Sequence, residues 1–164
     1  MADEHIATYL NDHLAGSVVA VELLEHLEAA HAGTAVGRFA AELRADVSAD
    51  RRELEGLMES LGVGKSRTRR ASAWLSEKVT ELKLRLDDPG DGALRLLEAL
   101  EAVSLGIEGK LGLWRALAAA AEGAPSLQGF DYERLAQRAV DQRSRVETER
   151  LRAAKGALIP GFSA

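Results

Sequence analysis

Cysteine is missing from all 164 positions, and with it go thiolate nucleophiles, disulfides, iron–sulfur clusters and cysteine-based zinc sites. That absence suits a reducing cytosol. Aromatic residues make up only 4% of the chain and prolines number three, so neither a stacking platform nor a Pro-rich linker is available. β-branched residues are sparse beside Ala and Leu, which favours helix over sheet throughout. No apolar run reaches the roughly 18 uncharged residues of a membrane span, and the opening MADEHIATYL is too acidic for a secretory n-region. The expectation is a cytoplasmic protein, without a membrane partner, folded as a single helical domain over residues 1–164.

The net charge of −5 is laid out unevenly. Residues 1–62 carry a balance of −8, whereas residues 65–86 carry +5, concentrated at Lys65, Arg67, Arg69 and Arg70 in the stretch KSRTRR. No aromatic side chains interleave that cluster, and the acidic remainder repels phosphate, so nucleic acid is not the expected partner. The island reads as a solvated helix start, with a protein-docking role as the alternative. The neighbouring LGVGKS resembles the end of a phosphate-binding loop, but Glu59 stands where the pattern needs glycine and a helix precedes it.

Hydrophobic spacing organises the chain into helices. Ile6, Leu10, Leu14, Val18, Val21 and Leu24 predict a first long helix over about 6–32, stopped by Gly33. Thr34 caps a second, running to about residue 61, on whose seam of aliphatics Asp50 is an intruder. A short helix over about 69–86, including Trp74, ends at Asp87, Asp88, Pro89 and Gly90. Asp91 then caps a third long helix, and Asp131 a fourth, with Tyr132, Leu135, Ala139, Gln142, Val146 and Ala153 on its inner side.

Residues 94–120 of the third helix are too apolar for a surface yet carry Glu101 and Glu108. A helical wheel sets Leu94, Leu97, Leu105, Leu111 and Ala118 within roughly 80° of both carboxylates. Both glutamates are therefore expected to face apolar neighbours and to require partners. Register counted outward from the two tight connections sets Glu108 opposite Gln142 to Arg145, Glu101 near Glu149, and Asp50 level with His13 and Ser17. The resulting expectation is a buried polar layer of Glu22, Asp50, Glu101, Glu108, Gln142 and Arg145, in which Ser17 bonds Asp50, and Gln142, Arg145 or Arg115 satisfies Glu108.

Two hairpins of long helices joined by a connection of about thirty residues, with acids directed inward, resemble the ferritin-like superfamily of di-iron and di-manganese carboxylate proteins. The resemblance implies an all-α ferritin-like four-helix bundle with one extra short helix in the crossover. It also implies iron or manganese ligands at Glu22, Asp46, Asp50, Glu101 and Glu108. The sequence departs from the family's pattern because the second and fourth helices lack the histidines of Glu-x-x-His, offering Asp46, Asp50, Asp141 and Gln142 instead. A literal Glu28-Ala-Ala-His31 sits at the end of the wrong helix. Amide oxygen is a weak iron ligand, so the expected protein is non-catalytic, holds no cofactor and keeps a degenerate metal site. A role in stress response follows from the resemblance alone. The small-residue stretch 116–121 permits close approach of another helix, either the short one or that of a second subunit in a homodimer.

Overall fold

The structure is a computed structural model that describes residues 4–64, Glu77, Thr80 and 92–159. Four long helices, α1 (Glu4–Ala30), α2 (Ala35–Ser60), α3 (Gly92–Ala121) and α4 (Tyr132–Leu158), form a bundle, with a 3₁₀ turn at Pro125–Leu127. No strand occurs among the described residues. The basic island, Trp74, the Asp91 cap and the expected short helix, apart from the helical Glu77 and Thr80, lie outside them.

Local chemistry sets the ends. Gly33 adopts φ 79° after α1, a left-handed conformation open to glycine at little cost. Thr34 then accepts a hydrogen bond at its Oγ1 from the Gly37 amide at 3.2 Å, closing the first turn of α2. Gly37 itself is a steric necessity, because a Cβ there would lie 2.2 Å from the carbonyl oxygen of His31. At the far end of α2, Gly62 (φ 66°) donates to the Glu59 carbonyl and Val63 to that of Met58, a Schellman closure. The Asp131 carboxylate accepts from the Arg134 amide at 3.0 Å to start α4. The Tyr132 hydroxyl donates to the Leu127 carbonyl at 2.7 Å, tying α4 to the turn before it.

The four-residue turn between α1 and α2 makes them antiparallel neighbours, and the short connection between α3 and α4 does the same for the second pair. The core falls into two clusters that reveal how the pairs meet. One gathers Leu23, Leu24 and Leu27 with Leu43, Leu97, Leu100 and Val146. The other gathers Leu10 and Leu14 with Leu57, Trp114, Leu117 and Leu135. Late α1 thus meets early α3, and late α2 meets early α4, so both inter-hairpin pairs are antiparallel as well. The order is up, down, down, up. Such an order puts the end of α2 and the start of α3 at opposite ends of the bundle, and the chain has residues 65–91 in which to cross.

The inner face of α4 is the one its spacing predicts, Tyr132, Leu135, Ala139, Gln142, Val146 and Ala153. α1 differs from expectation. Its buried side chains include Leu23, Leu27 and Asn11, while Ile6, Val18 and Val21 are only half-buried. A helix apolar around most of its circumference has no sharp stripe to read, so its neighbours decide its rotation.

A lysine-centred polar cluster and the cavity beside it

Between the two apolar clusters, at mid-bundle, sits an ammonium group. Lys110 of α3 donates from Nζ to Asp50 Oδ2 of α2 at 2.5 Å and to Gln142 Oε1 of α4. Gln142 Nε2 in turn donates to the same Asp50 oxygen at 2.8 Å. The Arg138 guanidinium approaches the other oxygen, Oδ1, to 2.9 Å as an ion pair rather than an aligned hydrogen bond. Asp50 is 2% exposed and Gln142 3%, so the polar atoms of these two have given up water and depend on the groups around them. Burial pushes the Lys110 ammonium below the ordinary lysine range, with the Asp50 carboxylate opposing that effect and Arg138 adding to it.

Asp50 and Gln142 thus belong to a buried layer, but its other expected members do not. Glu101 and Glu108 lie on the surface, their side chains each 51% exposed. Glu108 pairs with Arg143, and Glu101 with Arg150 at 3.3 Å. The axial register expected from the connections is therefore right to within about one residue, while the expected rotation is wrong. Leu105, which anchored the apolar side of the wheel, is 74% exposed. The buried side of α3 is built on Leu100, Val103, Ile107 and Trp114, roughly opposite the glutamates. Lys110 falls on that buried side.

The remaining expected contacts are replaced by others. Arg145 turns to Asp46 at 2.6 Å and Glu42 at 3.6 Å, leaving Glu108 to Arg143. Ser17 donates to the Leu14 carbonyl at 2.6 Å instead of bonding Asp50, as a helical hydroxyl readily does with the preceding turn. Arg115 is exposed, and Glu22 is half-buried on α1. Glu28 of the literal Glu-x-x-His pairs with Arg44 across the first hairpin at 2.8 Å. Among the described residues no three histidine, aspartate or glutamate side chains group closely enough to hold a metal ion.

No family model, curated protein or solved structure matches this chain. Its chemistry is accordingly read from its own side chains. The metal-ligand set implied by the ferritin-like resemblance does not fit them: both Asp50 oxygens face cationic groups of the chain, and Glu101 and Glu108 are paired with surface arginines.

Beside the cluster, a cavity of about 220 Å³ opens between α1, α2 and α3. Lys110 and Asp50 lie at its polar wall, and Val47, Leu54, Val103 and Leu113 are among its apolar walls. His13 reaches it from α1, standing edge-on to Tyr9 with ring centroids 4.7 Å apart. Burial holds the His13 imidazole below its usual value, against the opposing pull of Asp12. Trp114, 1% exposed, is another wall, and its indole N–H has no hydrogen-bond acceptor among the described residues. Lys110 was missed in the sequence because a single lysine among glycines and leucines reads as the polar edge of a helix. The available signal was its place on the wheel, within roughly 60° of Ile107 and Trp114 and opposite the two glutamates.

Proposed function

We propose that the chain is a ferritin-like four-helix bundle that works without a di-metal centre, a non-catalytic cytoplasmic protein whose mid-bundle cation is its own Lys110. The observation that carries this reading is the Lys110 ammonium between Asp50 and Gln142, where helices α2, α3 and α4 bring polar atoms together inside the core. A covalently tethered cation neutralises the buried carboxylate and gives up little entropy on folding beyond its own rotamers. It also presents no open coordination position at which an oxidant could bind. The up, down, down, up order of the helices supports the ferritin-like part of the proposal.

A polar layer of this kind fixes register between helices rich in Ala and Leu, where sliding by one turn otherwise changes little. Association into a homodimer and a stress-protective role belong to the same proposal, with the exposed alanines at 116, 119 and 120 offering one helix face for a second copy. Elemental analysis of protein purified from cells grown with added iron and manganese tests the central point. The expected metal content is far below one ion per chain. About two ions per chain, the stoichiometry of a carboxylate di-metal bundle, would overturn it.

A further inference from the structure

We infer that the cavity between α1, α2 and α3 is a binding site for a small, largely apolar molecule bearing a carbonyl or carboxylate oxygen. Its volume of about 220 Å³ exceeds the roughly 150 Å³ that accommodates a benzene ring in an aliphatic core, leaving room for one ring and a short polar appendage. The space is maintained by glycines. Gly16, Gly106 and Gly109 line it from within α1 and α3, where each costs helix stability relative to alanine. Close packing does not explain them, because a Cβ built at any of the three meets nothing within 4 Å among the described residues, in contrast to Gly37. The missing methyl groups leave the cavity open, and it reaches the surface at the exposed Gly106 and Gly109.

One hydrogen-bond donor specifies the ligand's polar end. Lys110 lines the cavity one helical turn before Trp114, on the same face. An ammonium has three N–H donors, of which Asp50 and Gln142 take two. An oxygen on an otherwise apolar body answers the third while the aliphatic walls, and the buried Trp114 ring beside them, take the rest. The inference does not rest on the metal-free reading, since metal content and ligand titration can fail separately.

The test is a titration of the full-length ¹⁵N-labelled protein with benzoate, acetophenone and toluene, followed at the indole N–H resonance of Trp114, which a Trp74→Phe variant assigns. Benzoate or acetophenone is expected to shift that resonance saturably, with a dissociation constant of roughly 0.1–1 mM for ligands this small. A response to benzoate alone identifies a carboxylate, and a response to both identifies the carbonyl oxygen in general. A Gly106→Leu variant that stays helical is expected to lose the saturable shift. The inference is overturned if neither oxygen-bearing probe moves the resonance, or if toluene moves it as far and as tightly.

Discussion

Glu108 and Lys110 stand two residues apart on the same helix, and each meets a partner on α4, yet they inhabit different electrostatic worlds. Glu108 and its partner Arg143 are both 51% exposed, so water and salt screen their attraction, and holding two long side chains together offsets most of what remains. Lys110 and Asp50 are 15% and 2% exposed. For the inner pair, the loss of hydration is comparable to the attraction, which makes the pair worth little as a whole but costly to halve. Position around the helix, and not the chemistry of the groups, sets this difference.

The contrast gives an ordered set of outcomes. The largest is expected at the centre: Asp50→Leu alone should lower stability by about 3–5 kcal/mol, because it strands the buried Lys110 ammonium, and Lys110→Met by less, because Arg138 still faces Asp50. The double variant should recover part of that loss, the pair of apolar side chains being roughly neutral relative to the pair of ions while the buried Gln142 amide is left without either partner. Urea unfolding of the four proteins measures the cycle, and a double variant as damaged as the sum of the singles would break the comparison. At the surface, Glu101→Gln and Glu108→Gln should each cost less than about 1 kcal/mol. That cost should shrink further in molar salt, and a loss as large as that at Asp50 would mean the outer pairs are not screened.

The smallest effect concerns pH. The imidazoles of His13 and His31 are held below the ordinary value of 6.5, in both cases mainly by burial, with Asp12 opposing the effect at His13 and His26 adding to it at His31. A lowered histidine favours the neutral form in the folded state. Its contribution is therefore present above 6.5 and is lost as the pH falls from there through the lowered folded value, because the unfolded chain binds the proton more readily. Stability should decline over that interval, and the decline should be shallower in a His13→Gln variant. Equal slopes for the two proteins in chemical unfolding would remove His13 from the account.

Helix ends were legible in the sequence because they are set by neighbours a few residues away. Thr34 and Asp131 cap the helices they precede, and Gly33 stops α1, all through contacts within one turn. The inner face of α4 was legible for a related reason: arginines, glutamates and glutamines cover the rest of its surface, so the apolar stripe has one position it can take. Even the axial level of Glu108 and Glu101 against Arg143 and Arg150 followed from counting residues outward from a tight connection. Rotation of α3 did not. Leucines point from it in many directions, so the wheel admits more than one buried arc, and Leu105 stood for the wrong one.

By itself, then, the sequence determined an all-helical chain, the bounds of its four long helices, their two hairpins, and the burial of Asp50 and Gln142. Each of these depends on local hydrogen bonds or on a sharply amphipathic face. Only the tertiary structure decided that Lys110 turns inward and that Glu101 and Glu108 turn outward to arginines. It alone decided that glycines of two different helices enclose one cavity beside Trp114. The reason is that rotation of an apolar helix is fixed by the total burial of all its neighbours at once, a sum that no single helix carries in its own spacing.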